Sequence, residues 1–186
     1  DICPAKSGTF FMTKLFKNPL LLFLLKAIGL YLLWLFLYDR WLHPQGNADL
    51  FVIDQIVWLA GSLLELMGFE LSGANPLLGG LRTIGIGGSD GVWIGDPCNG
   101  LTLFGLFTGF VLAFPGPWKT KLWYIPLGIL LIHLANVVRV MALVVVERFY
   151  PESLDFNHTY TFTILVYSLV FLLWYTWAKK FSGLET

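Results

Sequence analysis

Charge is what this sequence has least of. Lys and Arg number 12, Asp and Glu 12, together 13% of 186 residues, about half the ~25% of soluble domains. So few polar residues cannot cover a water-soluble fold, and the apolar 56% must face lipid. The net charge of zero argues against nucleic acid as a partner. Cysteine is almost absent: Cys3 and Cys98 are the whole supply. One Cys and dispersed histidines give no metal-ligand spacing, so neither metal nor cofactor is expected. The Gly-rich stretch Gly85 to Gly91 is not followed by the helix and Lys-Ser/Thr of a phosphate loop. No nucleophile elbow supports a serine triad.

What is abundant is apolar runs. A helix needs about 20 apolar residues to cross the hydrocarbon core. Four candidate spans cover residues 19–38, 97–114, 122–149 and 159–178. The second reaches span length if its helix starts near Pro97. The third contains His133, Asn136 and Arg139. The first run is too long for a cleavable signal peptide and lacks a small-residue cleavage site. Residues 1–11 precede Met12 and hold Cys3; they are read as an extension, native or foreign, outside the fold. A Cys3–Cys98 disulfide stays open at this point.

Phe51 to Phe69 reads either as a fifth span or as an amphipathic helix lying in the interface. It places Asp54, Gly61 or Ser62, and Glu65 on one face, with apolar residues over the rest. Lys14 and Lys17, Lys119 and Lys121, and Lys179 and Lys180 flank the spans and mark the cytoplasmic side. With both ends inside, the span number is even, so four spans are expected and 51–69 lies along the outer face. Residues 70–96 form an extracytoplasmic β-hairpin, with Leu81 to Ile86 and Val92 to Ile94 joined by Gly87-Gly88-Ser89-Asp90-Gly91. Tyr150 to Asn157 is a short outer loop. The expected fold is an all-α integral membrane domain over 12–186: four transmembrane helices, an outer-face amphipathic helix and that small hairpin.

Cys98 stands in Asp96-Pro97-Cys98-Asn99-Gly100-Leu101, at the start of a helix. Unpaired N–H groups and partial positive charge there suit a thiolate nucleophile; the bland alternative is a buried, inert thiol. Arg139 lies roughly 15 Å below the outer end of its helix. An intramembrane Arg is a functional candidate by default, able to clamp a carboxylate or stabilise an oxyanion. Otherwise it pairs structurally with Asp54, Glu65 or a carbonyl. Asn136 is one turn away on the same face. His158 opens the last span and can move protons near neutral pH, or is a surface histidine at a helix cap. His133 reads as a packing or hydrogen-bonding residue, and His43, beside Pro44, as a loop residue without a companion.

The sequence Cys98-Asn99-Gly100-Leu101, then Asn136-Val137-Val138-Arg139 in the next span, then His158 opening the one after, resembles the exosortase/archaeosortase family over Phe51 to Ala178. The family's usual Cys-Ser-Gly is Cys-Asn-Gly here, which keeps the nucleophile. The resemblance implies a membrane thiol peptidase or transpeptidase in a prokaryotic inner (cytoplasmic) membrane, with its active site on the outer face. Its catalytic residues would be Cys98, Arg139 and His158, supported by Asn136 and Asn99. Its partners would be exported proteins ending in a short motif, a transmembrane helix and a basic tail, together with membrane lipids and a lipid or glycan acceptor. Two other classes stay open: a thiol acyltransferase acting on lipids, and a non-enzymatic membrane scaffold.

Overall fold

The computed structural model describes residues 18–72 and 82–183. The expected extension at 1–11, with Cys3, and also Lys14, Lys17 and Leu81, lie outside the described residues.

Helix α1 (Pro19–Leu37) begins where the Asn18 side chain accepts from the Leu20 and Leu21 N–H groups, a cap that satisfies donors the helix itself leaves unpaired. It does not end at Tyr38 as expected. A π-helical turn, Tyr38–Leu42, and a last turn, His43–Gln45, carry it to Gly46, whose φ of +68° stops it. Leu20, Leu25, Ile28, Leu32 and Phe36 along α1 are exposed, as a lipid-facing helix requires.

Helix α2 (Asn47–Leu66) follows at once. Ile53, Ile56, Ala60 and Leu64 are buried at helical spacing against Val137, Val140 and Val144 and against Ile84, Ile86 and Ile94. This helix is therefore clamped to the bundle along one stripe, while Phe51, Trp58, Leu63 and Leu66 stay exposed. Of the polar face expected at Asp54, Gly61 or Ser62 and Glu65, Asp54 and Gly61 meet a small sheet, while Glu65 is exposed. Asp54 pairs with Arg82 at 2.6 Å, and Leu71 and Ile84 close over Gly61, where an added Cβ would stand 3.2 Å from Leu71. Gly61 is thus a packing position, and Ser62 is the exposed member of that pair. The Asp54 hydrogen bond also lifts the Arg82 guanidinium above its ordinary pKa.

The expected hairpin is present as β2 (Arg82–Ile86) and β3 (Val92–Ile94), antiparallel with Ile84 opposite Val92. A further strand, β1 (Leu71–Ser72), joins β2 on its other edge. Two residues are too few for an alternating pattern to register, so the pairing partner alone makes this segment a strand.

A 3₁₀ turn, Asp96–Cys98, leads into α3 (Leu101–Ala113). The expected start near Pro97 is corrected: Gly100, at φ +81°, breaks the helix from the turn. At 13 residues, α3 rises about 20 Å, short of the ~30 Å hydrocarbon core. Helix α4 (Trp118–Phe149) starts four residues before the expected Leu122. Its Lys121 is only 4% exposed: Nζ donates to the Leu112 and Phe114 carbonyls at 2.9 and 2.8 Å, capping the C-terminus of α3. Lys121 is therefore not a free flanking charge. The expected loop Tyr150 to Asn157 is largely helical. Turns Pro151–Ser153 and Leu154–Phe156 and a π-helical turn Asn157–Thr161 run into α5 (Phe162–Thr176) and on to Phe181. His158 thus sits inside a helix rather than opening one.

Among the described residues, three helices are long and apolar enough to cross a membrane: Leu20–Gln45, Trp118–Phe149 and Pro151–Phe181. A second core, Phe107, Val111, Tyr124, Ile132, Val170, Leu173 and Trp177, joins α3, α4 and α5. Gly128 admits the Phe107 ring against the α4 backbone, where an added Cβ would collide with it. Gly128→Ala is expected to destabilise the protein by about 1–3 kcal/mol through overpacking. Thermal unfolding in detergent reads this, and an unchanged midpoint would show that Phe107 has room to move.

Candidate active site at the Cys98 turn

The Asp96–Cys98 turn lies where α2, α3, α4 and the start of α5 meet. Its conformation follows from local chemistry. The Cys98 N–H donates to the Gly95 carbonyl at 2.9 Å. Asn99, 1% exposed, accepts the Leu101 N–H at 2.8 Å through Oδ1, capping α3. Gly100 supplies the left-handed residue between turn and helix. Across the bundle, Asn136 Nδ2 donates to the Cys98 carbonyl at 2.6 Å. The Cys-Asn-Gly sequence is therefore a folding unit as well as a motif.

Cys98 carries a free, half-buried thiol. Its Sγ is 3.5 Å from His158 Nε2, a contact between residues 60 apart in sequence and within reach of proton exchange. The imidazole reaches it from the π-helical turn, a deviation that often marks function. The side chain of Thr163 donates to the His158 carbonyl at 3.1 Å.

Beside this pair lies a cavity of about 190 Å³, lined by Asp96, Asn99, Thr102, Asn136, Arg139 and Tyr167 among others. Arg139 and Asn136 face it together from α4, one turn apart, as the spacing implies. Arg139 Nε is buried with no hydrogen-bond partner. Among the described residues no carboxylate forms an ion pair with its guanidinium. The suggested partner Asp54 is taken by Arg82. An unanswered buried donor is costly, and it leaves the Nε free for a ligand's oxygen. Asn99 and Asn136 have different duties: both Asn99 side-chain atoms are committed within the protein, and Asn136 holds the Cys98 carbonyl.

His133 packs on the Phe104 ring, with centroids 6.3 Å apart, away from the thiol. His43 does have companions, against expectation. Its Nδ1 is 3.5 Å from Asp49 and 3.6 Å from Asp96. Asp49 and Tyr38, which the sequence did not single out, also converge here: Asp49 Oδ1 accepts from the Tyr38 hydroxyl at 2.8 Å and from Asn99 Nδ2 at 2.5 Å. The only hint in the sequence was a carboxylate just ahead of the amphipathic helix expected at 51–69, a place that N-terminal charge preference already accounts for.

A family model described as transmembrane exosortase matches residues 10–176. That is most of the chain, and it reaches back across α1, beyond the motifs themselves. Comparison with curated proteins and with solved structures gave no match. With its long apolar helices and this match, the chain is a multi-pass membrane protein that belongs to the transmembrane exosortase family.

Proposed function

We propose that this chain is a membrane thiol peptidase or transpeptidase that cleaves C-terminal sorting signals of exported proteins. The observation that carries the reading is the 3.5 Å approach of Cys98 Sγ to His158 Nε2, next to a cavity lined by Asn99, Asn136 and Arg139. The Cys98 sulfur attacks a substrate carbonyl carbon as His158 takes up the thiol proton. Arg139 donates to the oxygen on which negative charge develops. His158 returns the proton to the leaving amine as the C–N bond breaks, leaving a thioester on Cys98. Water, or a lipid or glycan acceptor bearing an amine or hydroxyl, then attacks the thioester and gives its proton to His158. The C–S bond breaks and the thiol regains that proton.

In this reading the chain spans the membrane four times, with α3 as the short span and α2 lying along the outer side. Exposed Lys119, Lys179 and Lys180 stand in the cytoplasm, and the Cys98 turn faces outward in a prokaryotic inner membrane. Because α3 is some 10 Å shorter than the hydrocarbon core, the turn lies below the outer boundary. The bond that is cut then sits at the end of the substrate's own transmembrane helix.

The test is to trap the intermediate. Incubated with an exported protein ending in a motif, an apolar helix and a basic tail, the enzyme is expected to carry a peptidyl adduct on Cys98. Intact mass should detect it, and hydroxylamine should release it. An acyl or prenyl adduct instead would identify a lipid acyltransferase, and no adduct under turnover would sink the thioester route.

A further inference from the structure

Asp49 is a carboxylate 2% exposed, on the first turn of a helix otherwise buried through aliphatic residues. Burying a carboxylate is costly, and a fold gains little from one that apolar packing could replace. What Asp49 holds is specific. Its Oδ1 accepts from Asn99 Nδ2 at 2.5 Å and from the Tyr38 hydroxyl at 2.8 Å. Its Oδ2 makes no hydrogen bond and faces His43 Nδ1 at 3.5 Å, and the same nitrogen lies 3.6 Å from Asp96. Asn99 is the residue after Cys98, and its other side-chain atom caps α3. Charge-assisted hydrogen bonds are stronger than neutral ones and fix geometry. The Cys98 turn is thus gripped at two points, by Asn136 on the Cys98 carbonyl and by Asp49 through Asn99.

We propose that Asp49 is the positioning residue of the Cys98 turn: with Tyr38 and His43 as its supports, it fixes Asn99 so that the thiol stays against His158. Asp49 itself touches no reacting atom. This inference rests on the Cys98–His158 reading above and deepens it, and its test needs no knowledge of the substrate.

The readout is the rate at which the Cys98 sulfur displaces iodide from iodoacetamide, in detergent at neutral pH, in a Cys3→Ser background. Asn99→Asp keeps the cap on Leu101 but sets two carboxylates against each other, and it is expected to slow alkylation about tenfold, the scale of one hydrogen bond to a charged group. Adding Asp49→Asn restores an amide–carboxylate pair with its polarity reversed. The double variant is expected to recover most of that tenfold, which a general loss of structure would not do. His158→Ala serves as the reference for a thiol without its partner. If the double variant is as slow as Asn99→Asp while His158→Ala is also slow, Asp49 does not position the turn and the Cys98–His158 pair stands. If His158→Ala reacts at the parent rate, the pairing itself is overturned, and this inference with it.

Discussion

Membranes carrying Cys98→Ala are expected to leave a sorting-signal substrate uncleaved, with a rate loss of about 10⁴-fold or more, as when the nucleophile of a coupled catalytic group is removed. The geometry gives the reason. Cys98 carries the thiol in contact with the His158 imidazole, and without sulfur the imidazole has nothing to deprotonate. Cys98→Ser should also be severely impaired, because a hydroxyl gives up its proton far less readily than a thiol. His158→Ala should be milder, about 10²–10⁴-fold, the usual share of general acid–base catalysis. Stability should not follow activity. The turn is held by Asn99, Gly95 and Asn136 through backbone groups of residues 98 and 101, and none of those bonds uses the sulfur. Processing of the substrate followed by gel mobility, with thermal unfolding on the same preparations, separates the two. Wild-type cleavage by Cys98→Ala would end the proposed mechanism.

Arg139→Leu is expected to lower activity about 10²–10³-fold, the scale of losing one oxyanion donor, and yet to leave the protein as stable or more so. A structural arginine would behave oppositely, since breaking a buried ion pair strands its partner and costs about 3–5 kcal/mol. The signs differ because no carboxylate among the described residues pairs with this guanidinium, and its Nε makes no hydrogen bond. Stability held in reserve for a ligand in this way is the common trade at functional sites. Arg139→Lys should recover little, because an ammonium has neither the planar fork nor the Nε donor. A loss of thermal stability in Arg139→Leu without loss of cleavage would favour the membrane scaffold over the enzyme.

Much of the architecture needed no tertiary information. Scarce charge and long apolar runs dictate a membrane protein, since every backbone group within lipid must be satisfied inside a helix. Glycines around Ser89 and Asp90 dictate the hairpin, because its turn needs positive φ, which Gly87, Gly88 and Gly91 adopt. Aliphatic spacing in α2 predicts a one-sided helix, and one side of it is buried. Order along the chain sets Cys98, Arg139 and His158 on three separate elements.

Tertiary structure decided the rest, and for a common reason. Whether α3 starts at Pro97 or Leu101 turned on the left-handed Gly100, which periodicity does not register. Whether Lys121 flanks a span or caps a helix depended on where the end of α3 arrives. His43 gained companions and Asp49 gained a role only when α1, α2 and the Cys98 turn met, through contacts such as Asn99 with Asp49, 50 residues apart. Local pattern reports which face of an element is apolar, but not which polar side chain from a distant element will meet it. The class of protein and the elements that carry its polar residues were therefore written in the chain, while the 3.5 Å between Cys98 and His158 and the grip of Asp49 on the turn were set by packing, where a few ångströms decide whether two groups interact at all.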